Sequence, residues 1–278
     1  MTIEVLKQSG EKEKFDEQKF QESLKKAGAE KEVIERITKE IKAKLQPNIP
    51  TTKIEKYTSI CLKRENPVLA ARYNLKRALF ELGPTGYPFE KYVAQILEQY
   101  GYQTKTNIYL QGKCVTHEID VVAQNFSSSF TKPGKFLIEC KYHNQGGVKS
   151  DLKVAMYTYA RFLDLQNKFD GVWLVTNTKC TSEAISYAKC MNLKIISWKY
   201  PPGESLENLI EAKGLYPITV LHLPRYIKRR LIENNIFLVG DLARKSPQKL
   251  SSILDLKLNS VKQLQAQAQS LCFFDKIE

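Results

Sequence analysis

Residues 136–143 read FLIECKYH. Three apolar residues of the kind a covered strand requires lead into a carboxylate, Glu139, and an ammonium, Lys141, with Cys140 between them. Alternate side chains of a strand share a face, so Glu139, Lys141 and His143 point one way and Ile138, Cys140 and Tyr142 the other. Upstream, HEID at 117–120 closes a second strand-like run with Glu118 and Asp120 on one face. If the two runs are neighbours in a sheet, Asp120, Glu139 and Lys141 converge. Facing carboxylates repel, and a buried one without a partner is costly. A hard divalent cation with oxygen ligands, Mg2+ or Mn2+, resolves the conflict. A nearby lysine can orient or deprotonate an attacking water, or stabilise charge developing at phosphorus. The set therefore predicts a metal-dependent phosphodiesterase site with Asp120 and Glu139 as metal ligands. Glu90, on the amphipathic run FEKYVAQIL that precedes the two strands, is the next acid in reach. The competing reading is a Glu139–Lys141 ion pair on a solvated sheet face. The apolar runs FLI and, later, VWLV argue that at least one side of the sheet is covered. For His143 and Gln145, which share the charged face, a phosphate or water contact and a plain surface position stay open.

The elements needed to hold these residues are legible around them. After the linker-like GPTGYP at 83–88 comes an amphipathic helix, FEKYVAQILEQYGY, ending at Gly101. QTKTNIYLQG, VTHEIDVVAQN and KFLIECKYH read as strands, with FSSSFTKPG at 126–134 as a loop by composition. A helix over SDLKVAMYTYARFLDLQNK follows, with Ser150 or Asp151 as its cap. Then come a strand at DGVWLVTN, a helix at TSEAISYAKCMN and a strand at LKIISW. The order α-β-β-β-α-β-α-β is that of a mixed sheet flanked by helices. Ahead of it, residues 1–85 read as a hairpin around Ser9–Gly10 and a series of helices. Asp16 caps the first and Gly28 closes it; Thr51 or Thr52 caps a later one. Residues 215–278 show helical patterning only. We therefore expect three parts: 1–85, 86–201 and 202–278.

Composition narrows the partners. The 278 residues are 42% hydrophobic and 26% charged, an ordinary soluble balance, and no apolar run reaches the length of a bilayer span. The first residues are charged, without a signal-peptide core, so a cytoplasmic protein is expected. The six cysteines form no C-x-x-C pair and read as reduced thiols. The net charge of +13 is uneven: +1 over residues 1–50, +9 over 51–200 and +3 over 201–278. An excess in the middle of the chain suits a polyanion such as DNA.

On these residues the segment 86–200 resembles the Mrr-type restriction endonuclease-like domain of the PD-(D/E)xK nuclease superfamily. Asp120 matches the first acid of the motif, Glu139-x-Lys141 its second half, and Glu90 the acid often carried by the first helix. GVWLVTNTKCTSEAISYAKCMNLKIISW is similar to the second half of such domains. The resemblance implies a restriction-endonuclease-like α/β core. It implies DNA cleavage with Asp120, Glu139, Lys141 and Glu90 as catalytic residues.

Residues 3–85 resemble an ATP-cone domain, with VLKQSGEKEKFDEQKF as the hairpin and AARYNLKRALFELG as the closing helix. That resemblance implies ATP or dATP as a regulatory ligand, with Lys7 and Lys19 on the phosphates, Glu13 and Phe15 beside the base, and Thr52 as a contacting helix cap. The turn departs from the family's Lys-Arg-Asp-Gly: Gln8 replaces an arginine and removes a bidentate phosphate donor. No G-x-x-x-x-G-K-[ST] motif is present, so nucleotide is expected as a ligand rather than a fuel. LIENNIFLVGDLARKSPQKLSSIL and LNSVKQLQAQAQSL have the look of helix-hairpin-helix elements, for which DNA binding and mere helix packing remain equally open. Lys149, Arg161, Arg225, Lys228 and Arg229 are the candidate DNA-backbone contacts. A homo-oligomer, a dimer or larger, and no membrane complete the expected partners. A non-catalytic, nucleotide-responsive DNA-binding regulator is the alternative function.

Overall fold

The computed structural model describes residues 3–7, 10–126, 133–221 and 223–273. It forms two compact units, 1–77 and 78–278. Gln8 and Ser9 of the hairpin turn, and most of the loop expected at 126–134, lie outside the described residues.

The first unit opens with β1 (Glu4–Leu6) and β2 (Lys12–Lys14), antiparallel with Val5 opposite Glu13. Helix α1 (Glu17–Lys26) starts where the Asp16 carboxylate accepts the Lys19 N–H at 2.9 Å, and Gly28 just beyond it takes a positive φ of 88°. Both features were expected of their residue types. Next come α2 (Lys31–Lys42), β3 (Ile49–Pro50) and α3 (Thr51–Glu65). β3 pairs parallel to β1, and its two residues are too few to show a period in the sequence. Thr51 and Thr52 were expected as a cap. They are instead the first residues of α3, behind Pro50, and no side chain caps this end. Proline sets the extended backbone at the boundary, which shifts the helix start upstream of the threonines.

The helix expected through AARYNLKRALFELG is broken at Asn74 into α4 (Pro67–Tyr73) and α5 (Leu75–Phe80). The Asn74 side-chain amide donates to Ser59 Oγ at 2.6 Å and to the Ala70 carbonyl at 2.7 Å, a local alternative to helical pairing. Val5, Phe20, Leu24, Ile37, Ile41, Ile54 and Leu62 form the core of this unit.

The second unit holds α6 (Tyr87–Gln99), β4 (Gln103–Gln111), β5 (Thr116–Asn125) and β6 (Gly134–Lys141). It continues with β7 (Lys149–Ser150), α7 (Leu152–Leu165), β8 (Gly171–Thr176), β9 (Lys179–Cys180), α8 (Ser182–Cys190) and β10 (Lys194–Ile196). Five of these strands make one mixed sheet in the order β10-β8-β6-β5-β4. β4, β5 and β6 are antiparallel neighbours; β6, β8 and β10 run parallel, joined by the crossover helices α7 and α8. Helix α6 packs on β4 and β5, whereas α7 packs on β8 and α8. Leu137, Val172, Leu174, Ala155, Leu165 and Ile195 fill the space beneath α7 and α8. This is the expected restriction-endonuclease-like core. A two-stranded parallel pair, β7 with β9, adds to it.

The chain then continues through α9 (Leu206–Ala212), α10 (Arg225–Glu233), α11 (Val239–Arg244), α12 (Pro247–Leu254) and α13 (Leu258–Phe273). Tight turns at Asn235 and Asp255, both with positive φ, follow α10 and α12. Buried Gln265 on α13 donates to the carbonyls of Leu242 and Lys245 at 3.1 and 2.7 Å, closing the end of α11. These helices are tied to the sheet unit by the hydroxyl of fully buried Tyr92, which donates to the Leu215 carbonyl at 2.7 Å, and by Tyr100, which donates to that of Leu209 at 2.9 Å. Among the described residues no helix is long and apolar enough to cross a membrane.

Leu137, fully buried on the central strand, is the sharpest test of this packing. Leu137→Ala is expected to destabilise the second unit by about 2–5 kcal/mol in chemical denaturation. A loss below about 1 kcal/mol would contradict the core described here.

Candidate active site

β5 and β6 pair with Val121 opposite Ile138 and Val122 opposite Leu137. One further step in that register sets Asp120 opposite Glu139. On the other side of β6, Glu139 lies beside Leu174 and Lys141 beside Thr176 of β8. The site thus sits where the antiparallel and parallel halves of the sheet meet. The Asp120 carboxylate accepts the Cys140 backbone N–H at 2.7 Å through Oδ2, which pins it against β6. Glu139 Oε2 accepts from Arg161 Nη1 of α7 in a close ion pair.

Glu90 stands in the first turn of α6. Its Oε2 accepts from the Asn107 side-chain amide at 3.2 Å. Its Oε1 lies 3.2 Å from where a Cβ on Gly86 would stand, so the absence of a side chain there leaves it room. Lys141 is exposed at the end of β6.

The electrostatics follow from burial. The carboxyl of Glu139 is pushed up to about 7, first by desolvation and then by the Asp120 charge; Arg161 and Lys141 oppose the shift. Glu90 is likewise raised to about 7, by desolvation and then Asp120, against the Asn107 hydrogen bond. Asp120 is raised by burial, while the Cys140 N–H pulls it down. Three carboxyls are therefore held above their ordinary range by burial and by one another, unlike carboxylates on a solvated sheet face.

Among the described residues no three His, Cys, Asp or Glu side chains are gathered into a ready-made metal cage. Mg2+ does not need one, since it keeps several waters and binds through one or two carboxylates. The chemistry of the pair Asp120 and Glu139 fits such an ion.

The other candidate residues fall differently. Arg161, expected at the DNA backbone, is only 8% exposed. It lies under the ring of Tyr157, 5.4 Å from the ring centroid, with its Nε buried and unpartnered among the described residues. The carboxylate it neutralises draws it inward. Lys228 is also committed inside its own unit, 2.7 Å from Glu81 and 3.3 Å from the Thr219 carbonyl. Lys149, Arg225 and Arg229 are exposed, and Arg229 pairs with Glu233 at 2.7 Å. The Asp151 carboxylate accepts the Val154 N–H at 3.2 Å, as a cap should.

His143 is tied down: its backbone N–H donates to Asn177 Oδ1 at 2.9 Å and its ring lies 3.2 Å from buried Ser150 Oγ. Gln145 is exposed. In the first unit, Lys7 lies 2.7 Å from Glu13 and 3.1 Å from Glu11, and Lys19 is 4.0 Å from Glu13. The rings of Phe15 and Phe20 are 5.6 Å apart, and Thr52 is exposed. Two neighbours of the carboxylates, Asn107 and Gly86, had no signal in the sequence beyond their residue types.

Comparison with known proteins defines the class. A family model described as restriction endonuclease, the Mrr catalytic domain, matches residues 84–201. The ATP cone domain matches 3–79, and a family described as AF1548-like, C-terminal, matches 216–272. The chain belongs to the Mrr-type restriction-endonuclease-like family and carries an ATP cone domain. A relative from Archaeoglobus fulgidus, described as an uncharacterized protein, is 43% identical over 162 residues, which span 58% of this chain and 89% of the relative. The crystal structure of AF1548, a protein of unknown function, aligns at 39% identity with a TM-score of 0.58, over 68% of this chain and 98% of that one. The MspJI restriction endonuclease in complex with a 27-mer oligonucleotide aligns at 13% identity and a TM-score of 0.35, over 70% of this chain and 39% of that one, too distant to bear on this site.

Raised carboxyls have a consequence for stability. Between the ordinary value of 4.5 and about 7, folded Glu90 and Glu139 retain protons that the unfolded chain has released. The folded state then binds more protons, so stability falls as pH rises through that window. Denaturation of the metal-free protein at about pH 5 and about pH 8 is expected to show this fall, and Glu139→Gln is expected to reduce it. An identical fall in that variant would contradict the assignment.

Proposed function

We propose that this chain is a divalent-metal-dependent endonuclease that hydrolyses phosphodiester bonds in DNA. The observation that carries the proposal is the pair of desolvated carboxylates, Asp120 and Glu139, opposed across adjacent strands with Lys141 on the same strand. Mg2+ or Mn2+ held there would supply Lewis-acid stabilisation of the phosphate and a more acidic water. The chain does the rest. Asp120, fixed through Oδ2 by the Cys140 N–H, and Glu139, held through Oε2 by Arg161, are the residues that would hold the cation with their remaining oxygens. Lys141 positions the attacking water and offsets charge developing at phosphorus. Glu90, with its carboxyl near 7, is suited to take a proton from that water.

The remaining assignments belong to the same proposal. Exposed Lys149, Arg225 and Arg229 contact the DNA backbone, consistent with the +9 charge of residues 51–200 and the +3 of 201–278. ATP or dATP regulates the enzyme from the ATP cone. There Lys7 and Lys19 exchange their glutamate partners for nucleotide phosphates, Glu13 and Phe15 flank the base, and Thr52 lies at the start of α3. The protein works in the cytoplasm as a homo-oligomer, in three parts spanning 1–85, 86–201 and 202–278.

A second reading, a nucleotide-responsive DNA-binding regulator without cleavage, is favoured by one observation: Glu139 is already neutralised by Arg161. Cleavage separates the two. Plasmid DNA with Mg2+ or Mn2+, with and without ATP and dATP, is expected to be cut by the wild type. Cutting is expected to fall more than about 100-fold in Asp120→Ala and Glu139→Ala, with gel-shift binding retained. Undiminished cutting by either variant would remove the site assignment, and DNA binding without cutting by the wild type would favour the regulator.

A further inference from the structure

We propose that Asn107 is a positioning residue of this site. It steers Glu90 toward the carboxylate pair and accepts a hydrogen bond from a water lodged beside them. The inference rests on the nuclease reading and deepens it. Three observations meet at this residue.

The first is its backbone. Asn107 lies in the middle of β4 yet has φ of +53°. Strand residues avoid this region, and asparagine is among the few side chains that tolerate it. The ladder is interrupted at that point. Thr106 pairs with Val121 and Ile108 with Ile119, and the unpaired step between them sets Asn107 opposite Asp120. A left-handed residue inside an edge strand is unfavourable for the strand itself, and such outliers gather at functional sites.

The second is its partner. The Asn107 amide donates to Glu90 Oε2 at 3.2 Å. With Glu90 ionised the carboxylate only accepts, so the NH2 group faces it and the carbonyl oxygen is turned away. The bond joins β4 to the first turn of α6 and holds Glu90 within the influence of Asp120.

The third is what that orientation leaves over. Asn107 Oδ1 is buried and has no hydrogen-bond partner among the described residues. Buried amide oxygens are rarely left unpaired, and a water with donors to spare is their usual partner where polar groups surround it. Asp120, opposite Asn107 in the ladder, supplies those surroundings. A water there would donate to Asn107 Oδ1 and to an Asp120 oxygen together, which would set it beside the proposed reaction centre.

The test uses the full-length protein. Asn107→Gly keeps a residue at ease with positive φ and removes both the amide donor and the oxygen, so the fold is expected to survive with an unchanged or higher melting temperature. Its kcat for DNA cleavage is expected to drop about 10- to 100-fold with KM for DNA unchanged, and its Mn2+ affinity, read by EPR of the free ion, to weaken over a similar range. Asn107→Asp, which also tolerates the backbone, sets an oxygen against Glu90 and is expected to lose activity as well. Both variants matching the wild type in kcat and Mn2+ affinity would overturn the role of Asn107 and leave the nuclease reading standing. A wild type that neither cuts DNA nor binds Mn2+ would overturn that reading, and this inference with it.

Discussion

The repulsion between Asp120 and Glu139 across β5 and β6 is the constraint around which the second unit is arranged. Two carboxylates withdrawn from water on adjacent strands are costly unless compensated. Each has a local compensation in the protein itself: a backbone N–H for Asp120 and a buried guanidinium for Glu139. The compensation is incomplete, as the raised carboxyls of Glu139 and Glu90 show. What is missing is positive charge, and the proposed cation would supply it.

The architecture explains how such a pair can be held. The two residues lie where an antiparallel hairpin meets parallel strands. β6 is therefore central and cannot shift without breaking ladders on both sides. Helix α7 covers one side and delivers Arg161; helix α6 delivers Glu90 from another direction. The C-terminal helices belong to the same compact unit, fastened through Tyr92 and Tyr100, so the elements that bear Arg225 and Arg229 are anchored to the sheet. The ATP cone domain is a separate compact unit.

Much of this arrangement is legible in the amino-acid sequence. Strand alternation put Glu139 and Lys141 on one face, and the spacing to Asp120 required only that two apolar runs pair. The helix carrying Glu90 and the order of the central elements followed from periodicity. The features that escaped are those decided by tertiary contacts. Arg161 reads as a surface residue of an amphipathic helix, and only the carboxylate opposite explains why it is buried. Nothing local distinguishes Asn107 in QTKTNIYLQ from any polar strand residue, because its left-handed backbone depends on a pairing gap across from Asp120. Thr52 fits a cap by type, yet Pro50 fixed the helix start upstream of it. β3 is too short for a period, and the break at Asn74 depends on a side-chain bond to a different helix.

The most direct measurement is a crystal structure of the protein grown with Mn2+, with anomalous scattering collected at the manganese edge. The account predicts a peak bridging Asp120 and Glu139, within about 2.0–2.3 Å of an oxygen of each. A well-ordered structure with no peak between them, and Glu139 still held only by Arg161, would contradict it.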